Sequence, residues 1–389
     1  MEIGIVGKPN VGKSTFFKAL TLAEAEIANF PFTTIKANIG VGHARKECAC
    51  KSLSVECNPN NSICRERNRF VPVKVIDVAG LVPGAHEGKG LGNQFLDDLR
   101  QADVLIHIID ISGRTNEKGE STEGYDPEND IKFLEEEIDL WFYGILKKNW
   151  KKIYNKAKHN HKDLIIELAE QLSGLEVNEE QVGEAAKKSD LTESTNWSDE
   201  QLQEFATNLR EISKPIIIVA NKIDLDHGNF DRLKENYDLV PVCSEAELAL
   251  RQAEKAGVIN YLPGDKEFKI LKDVDEKQKK ALEFIQNNIL KKYGSTGVQN
   301  CLNTAVFDIL KQIVVYPVEN ENKFMDNKGN VLPDAHLLPE GSTALDLAYK
   351  VHTDIGDKFI GAIDCKTKMK VRKDHQLNDC DVIKIITGR

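Results

Sequence analysis

Gly7-Lys8-Pro9-Asn10-Val11-Gly12-Lys13-Ser14 reads G-x-x-x-x-G-K-[ST], set between an apolar run, Glu2-Ile3-Gly4-Ile5-Val6, and a helix-like segment, Thr15-Phe16-Phe17-Lys18-Ala19-Leu20. Strand, glycine loop and helix are the context a phosphate-binding loop needs. The glycines let backbone N–H groups curl around an anion, and the helix N-terminus adds partial positive charge. Gly7 to Thr15 should therefore cradle phosphates, with Lys13 reaching the β- and γ-phosphates and the Ser14 hydroxyl on Mg²⁺.

Further segments extend the site in the order a guanine-nucleotide pocket requires. Val71-Pro72-Val73-Lys74-Val75-Ile76 is a strand ending in Asp77-Val78-Ala79-Gly80, a D-x-x-G pattern. There Asp77 would hold Mg²⁺ through a water, and the Gly80 amide would approach the γ-phosphate. Pro31-Phe32-Thr33-Thr34 lies where a mobile switch belongs, and Thr34 can close onto Mg²⁺ when a γ-phosphate is present. Pro215-Ile216-Ile217-Ile218-Val219-Ala220 is a buried-strand run that ends in Asn221-Lys222-Ile223-Asp224. A carboxylate at Asp224 accepts from both N1–H and N2–H₂ of guanine. Adenine offers neither donor, and a buried unpaired acceptor costs about 1–3 kcal/mol. Cys243-Ser244-Glu245 follows the next apolar run, where a backbone amide would meet the guanine O6, although a plain strand-to-loop edge would look the same.

The glycine-rich stretch Asp77-Val78-Ala79-Gly80-Leu81-Val82-Pro83-Gly84-Ala85-His86-Glu87-Gly88-Lys89-Gly90-Leu91-Gly92-Asn93-Gln94-Phe95-Leu96 resembles the second switch of the Obg-type GTPases. Ala28-Asn29-Phe30-Pro31-Phe32-Thr33-Thr34 resembles their first switch, and the chain is most similar to the YchF-related proteins of the archaeal and fungal branch. The resemblance spans nearly the whole chain and departs at one place. YchF proteins proper carry a degraded Asn-x-x-Glu base motif and resemble ATPases, whereas Asn221-Lys222-Ile223-Asp224 is intact, which favours GTP. Leu81 stands where Ras-type enzymes place a water-orienting glutamine. By resemblance this is a hydrophobic-substituted GTPase of slow intrinsic turnover. Lys13, Thr34, Gly80 and Asn10 are then the candidate catalytic groups. Relatives with Asn at the position of Asn10 bind K⁺ beside the phosphates. The other reading of Asn10 is a plain turn residue. His86 and Glu87 are further polar candidates in the second switch.

The chain has 389 residues, 41% hydrophobic and 29% charged, which describes a globular protein of two or three domains. No apolar run reaches the ~20 residues that cross a bilayer, and no secretory leader pattern opens the sequence, so a cytoplasmic protein without membrane partners is expected. A net charge of −10 argues against general coating of nucleic acid. Local basic patches exist nonetheless. Residues 147–162 hold seven lysines and no acid, interleaved with Trp150 and Tyr154. Such a helix presents either a solvated lysine face or a contact for RNA phosphates. Eight cysteines in this setting should be reduced thiols. Four of them, Cys48, Cys50, Cys57 and Cys64, are spaced C-x-C-x₆-C-x₆-C; they either bind Zn²⁺ or remain free.

Between the strand at 103–110 and the base motif lie about a hundred residues, where a compact core would need about 35. Asp126-Pro127 is a helix start, and Ser198-Asp199-Glu200-Gln201 is a capping box. A helical insertion over about 115–212 is expected, with a loop at 187–196. Residues 245–256 read as the last core helix. Residues 275–293 and 298–314 read as two more helices, with Leu282, Ile285 and Ile289, then Leu302, Val306, Ile309 and Ile313 at helical spacing. From Tyr316-Pro317 onward, short strands and a capped helix at 343–351 fit a ubiquitin-like β-grasp. Leu338-Pro339-Glu340-Gly341-Ser342-Thr343-Ala344-Leu345-Asp346-Leu347-Ala348-Tyr349-Lys350-Val351-His352 resembles the TGS domain of GTPases and threonyl-tRNA synthetases, which implies RNA or ribosome contact by analogy. Within it Lys366, Lys368, Lys370 and Arg372 fall at every second position, extended by Lys373. Strand alternation would set these cations on one face, as an RNA-tracking ridge or as a soluble edge.

The expected architecture is an α/β G domain with a doubly wound, mostly parallel sheet over 1–262, carrying the helical insertion and a Cys-rich loop at 47–65. A helical segment at 263–314 and a TGS domain at 315–389 follow. The expected activity is that of a GTP-binding and GTP-hydrolysing switch working with the ribosome or tRNA. An ATP-hydrolysing protein and a nucleotide-binding scaffold that does not cycle are the alternatives.

Overall fold

A computed structural model describes residues 1–21, 38–78, 92–160, 164–191 and 197–388. The chain divides into two compact units. The first takes 1–19, 36–40 and 74–301, and the second takes 20–35, 41–73 and 302–389.

In chain order the first seven strands are β1 (Glu2–Val6), β2 (Ile39–Glu47), β3 (Ile63–Arg65), β4 (Asn68–Asp77), β5 (Val104–Asp110), β6 (Ile216–Asn221) and β7 (Leu239–Val242). They form one sheet in the order β2-β4-β1-β5-β6-β7, with β3 antiparallel on β4. The pairs β1–β4, β1–β5, β5–β6 and β6–β7 are all parallel. Every residue of β5 is buried, which explains its mostly apolar sequence, broken only by His107 and the terminal Asp110. In a parallel sheet all these strands end on the same edge, so the loops after β1, β4, β6 and β7 converge there.

The insertion in the first unit is helical, as its composition predicts. Its helices are Glu128–Asn160, Leu164–Leu172, Glu179–Lys188 and Asp199–Ser213. The first has 33 residues and is roughly 50 Å long. Ser198 caps the last through the expected capping box with Gln201. Phe142, Leu168, Val182, Leu202 and Phe205 form the bundle core, and Trp150 stacks on Trp197 at 4.8 Å between ring centres. The lysine face is partly paired: Lys147 with Asp199 at 2.9 Å, Lys156 with Glu167 at 2.6 Å and with Glu170 at 3.0 Å. Lys187 and Lys188 continue the third helix rather than opening a loop, because capping at Asn178 lets that helix run its full length.

Two stretches of the anticipated helical segment at 263–314 are strand. Lys269–Ile270 (β9) pairs with Ile259–Asn260 (β8), which precedes that segment, ahead of the helix that starts at Glu276. Residues 312–314 belong to β10 (Gln312–Val318), not to a helix. Lys311 adopts φ 46° and turns the chain, and the β-branched and aromatic run Ile313-Val314-Val315-Tyr316 favours the pleated form. Tyr316-Pro317 thus lies inside a strand rather than at its opening.

In the second unit β10 joins β11 (His336–Pro339), β12 (Phe359–Asp364), β13 (Met369–Val371) and β14 (Val382–Thr387) in the order β11-β10-β14-β12-β13. Only β10–β14 is parallel. Helix Ala344–Val351, capped by Thr343, buries Ala344 and Leu347 against this sheet together with Val315, Leu338 and Ile383. This is a β-grasp. The four-cation ridge is not formed by strand alternation, since β13 holds only Lys370 of the group. Residues 365–368 make the hairpin turn. The Asp364 carboxylate accepts from the Lys366 N–H and the Thr367 hydroxyl, and Lys368 takes φ 62°. Lys366, Lys368, Lys370, Arg372 and Lys373 are all exposed, while the Lys368 ammonium donates to the Glu321 carbonyl and covers the Phe324 ring. The Cys-rich segment is likewise not wholly a loop. It carries the short helix Ala49–Ser52 and the β3 hairpin.

Candidate nucleotide site

The loop after β1 is shaped by close approach. Gly12 adopts φ 97°, and a Cβ there would lie 2.2 Å from the Asn221 amide nitrogen. Helix Lys13–Thr21 begins at once, with the Phe16 N–H donating to the Gly12 carbonyl at 2.9 Å. Ser14 therefore sits in the first helical turn. Lys13 Nζ donates to the Val78 carbonyl at 2.7 Å and lies 3.4 Å from Asp77 Oδ1, so the loop lysine and the strand-end carboxylate are adjacent. Asp77 Oδ1 is buried and accepts no hydrogen bond, and a hard cation would suit it. Thr34, Gly80, Leu81, His86 and Glu87, expected by resemblance in the two switches, lie outside the described residues.

At the other end, Asn221 works as a brace. Its Nδ2 donates to the Val11 carbonyl at 2.8 Å. Its Oδ1 accepts from the Ser244 N–H at 3.1 Å and from the Ser244 hydroxyl at 2.8 Å. Asn221 and Ser244, both expected at the nucleotide, spend these groups on joining the phosphate loop to the helix Ser244–Lys255. Asp224 accepts from the Cys243 thiol at 3.2 Å. Asp224, Lys222, Cys243 and Glu245 line a cavity of about 230 Å³ whose floor includes Gly12 and Thr15. Burial, then the Asp224 charge, pushes the Cys243 thiol up, so it stays a neutral donor. The wall is pinned from behind: the Cys243 N–H donates to the Thr296 carbonyl at 2.9 Å. Buried Glu247 holds that segment through Thr296 at 2.5 Å and Tyr261 at 2.8 Å, and pairs with Arg251 at 2.8 Å.

The loop's variable positions carry contacts that local pattern does not announce. Lys8 points away from the cavity. Its ammonium is 2.7 Å from Asp130, donates to the Thr115 carbonyl at 2.9 Å and covers the Tyr125 ring at 4.0 Å. Burial lowers the Lys8 pKa and raises that of Asp130, each offset by the partner's charge. Asn10, at φ 65°, donates its side-chain amide to the Gly119 carbonyl at 3.0 Å, leaving Oδ1 without a donor among the described residues. Lys222 Nζ reaches the Asn10 carbonyl at 2.9 Å and buried Asp110 at 2.8 Å. Asp110 also accepts from the Ser112 hydroxyl at 2.5 Å and the Thr115 hydroxyl at 3.1 Å. Sequence reading took Lys8 only as part of the phosphate loop, and it missed Asp110 and Asp130. Only Asp110, a carboxylate at the end of an apolar strand just as Asp77 is, carried a local signal.

Cys48, Cys50, Cys57 and Cys64 do meet, in the second unit, with their four sulfurs all within 4.8 Å of one another. Among the described residues no helix is long and apolar enough to cross a membrane.

Three family models match the chain: a 50S ribosome-binding GTPase over 2–148, an Obg-like GTPase YGR210-like G4 motif-containing domain over 219–320, and a TGS domain over 328–387. A GTP-binding protein of Methanocaldococcus jannaschii is 53% identical over 99% of both chains. The ribosome-binding ATPase YchF of Bacillus subtilis is 33% identical over 65% of this chain and 68% of its own. The crystal structure of a GTP-binding protein from Pyrococcus horikoshii is 42% identical, superposes with a TM-score of 0.80 and covers 100% of both chains.

Proposed function

The chain belongs to the YchF-related branch of the Obg-like GTPases, and from that premise we propose that it is a GTP-hydrolysing switch that works in the cytoplasm with the ribosome or tRNA. The observation that carries the choice of nucleotide is Asp224, whose carboxylate lines the cavity between Lys222 and Cys243. Beyond the Cys243 thiol, its remaining lone pairs match the two adjacent donors of guanine, and adenine would leave them unpaired. The relative named a ribosome-binding ATPase supplies the rival reading, ATP, and also the ribosome as partner.

Under this reading residues 1–262 bind and hydrolyse the nucleotide, 263–314 back the base pocket, and 315–389 contact RNA. Lys13 neutralises the β- and γ-phosphates, and the N–H groups of residues 7–15 surround them. Ser14 and Asp77 are the described residues that would hold Mg²⁺, joined by Thr34; the ion would neutralise charge on the phosphates. Asn10 Oδ1 offers a ligand for K⁺, which would stand in for an arginine finger. The Gly80 amide would meet the γ-phosphate. The exposed cations Lys366, Lys370, Arg372 and Lys373 would meet RNA phosphates as a patch spread over the hairpin turn, β13 and the residues after it rather than as a ridge.

Competition binding should rank GTP far above ATP. Asp224→Asn should weaken GTP more than tenfold, about 1.4 kcal/mol, by removing an acceptor matched to two donors. Equal affinities of the intact protein for both nucleotides would overturn the guanine reading. Single-turnover hydrolysis should be slow alone and faster with ribosomes; no hydrolysis under either condition would leave a nucleotide-binding scaffold.

A further inference from the structure

The four clustered cysteines take no part in that chemistry. The Cys48–Cys57 and Cys50–Cys64 sulfurs are each 3.9 Å apart, too far for a disulfide at about 2.05 Å. Zinc–sulfur bonds of about 2.3 Å place tetrahedral sulfurs about 3.8 Å apart, so the observed spacing is that of a tetrathiolate site with its ligands already gathered. The ligands come from a short helix, an irregular stretch and the β3 hairpin, a segment with little apolar core of its own.

Arg69 gives independent support. It is fully buried, and among the described residues no carboxylate lies within ion-pair distance of it, although the Asp334 carboxylate feels its charge from farther off. Its Nε donates to Cys48 Sγ at 3.4 Å, its Nη groups donate to Ser62 Oγ and the Leu332 carbonyl at 2.9 Å each, and its guanidinium covers the Tyr316 ring at 5.0 Å. A guanidinium cannot shed its proton, and an interior cation with no anion in direct contact is strongly disfavoured. Neutral thiols supply no anion. Four thiolates around a dication carry a net negative charge, and Arg69 is placed to offset part of it. The segment then docks on the C-terminal module. Asn58 and Asn60 donate backbone N–H groups to the Val331 and Pro333 carbonyls at 3.1 and 2.6 Å, and the Asn61 carboxamide bridges both polar groups of the Ala335 backbone.

We propose that Cys48, Cys50, Cys57 and Cys64 bind one structural Zn²⁺ that, with Arg69 against it, holds the segment 48–69 in the shape that docks on residues 331–335. The closed set of four protein ligands gives a structural ion rather than a catalytic one. The full-length protein, purified without chelator, should carry about one zinc per chain by plasma mass spectrometry. Exchange with Co²⁺ should give the intense thiolate-to-cobalt bands of a tetrahedral sulfur site. Cys57→Ser should lose the metal and open residues 48–64 to protease, while GTP affinity holds. Arg69→Met should keep the cobalt bands and lower zinc affinity ~10–100-fold, as loss of an outer partner does. Should Cys57→Ser fail to fold, the wild-type cobalt spectrum decides alone. Background metal together with absent thiolate bands overturns the site, and an iron-loaded protein without zinc overturns its assignment to zinc.

Discussion

Replacing Asp130 by alanine tests whether the phosphate loop is anchored from outside its own motif. Lys8 and Asp130 side chains are 5% and 7% exposed, with 2.7 Å between nitrogen and oxygen. At that separation and an effective dielectric of about 20, their attraction is about 6 kcal/mol, set against several kcal/mol of desolvation for each ion. Asp130→Ala removes the attraction and leaves the desolvated ammonium, so unfolding should become easier by about 3–5 kcal/mol. The lower end applies, because the Thr115 carbonyl and the Tyr125 ring still face the ammonium. Lys8→Met should cost less, about 1–3 kcal/mol, since Asp130 can take up a proton, a change that burial already favours, and keeps the Tyr125 hydroxyl at 2.9 Å. Lys8→Met combined with Asp130→Leu should regain most of the loss. Urea unfolding followed by tryptophan fluorescence suits the measurement. The chain has three tryptophans, Trp141, Trp150 and Trp197, all in the helical insertion that Asp130 opens. A loss under ~0.5 kcal/mol for Asp130→Ala, or strictly additive single and double changes, would refute the anchoring argument.

Hydrolysis should rise when K⁺ replaces Na⁺, and Asn10→Ala should erase the difference; equal rates in both salts would return Asn10 to a turn residue held by Gly119. Changing Lys370, Arg372 and Lys373 together to alanine should weaken ribosome or tRNA binding and flatten its salt dependence by up to about three charges' worth of slope, with GTP affinity unchanged. Binding like that of the wild type across a salt series would mark this basic patch as merely soluble.

What was legible in the sequence was whatever a few consecutive residues encode. The phosphate loop, Asp77 at a strand end, the Asn221–Asp224 motif and the capping boxes at Ser198 and Thr343 all depend on spacing within one turn or strand. Lys8 was read only as loop backbone, because its partner lies 122 residues away and leaves no mark on the loop itself. The lysine alternation at 366–372 misled for a local reason. Asp364 binds the following N–H and hydroxyl groups and folds the chain into a turn, so alternation of side chains is interrupted before β13 begins. Ile313 fits a helical stripe and a strand equally well, and Lys311 at φ 46° decided between them.

The docking of Asn58 on Asn330 joins positions 272 residues apart in a chain made from its N-terminus. At about 5–20 residues per second, the cysteine segment leaves the ribosome roughly 15–50 s before the surface it rests on exists. Through that interval Arg69, whose Nε donates to the Cys48 sulfur, lacks both its Leu332 acceptor and the Tyr316 ring. The nucleotide cavity, by contrast, is complete once Thr296, which pins Cys243 in its wall, has emerged. Nascent chains should therefore pass through a stage with a finished nucleotide pocket and an unfinished second unit. A translation product truncated before residue 330 would be arrested at that stage.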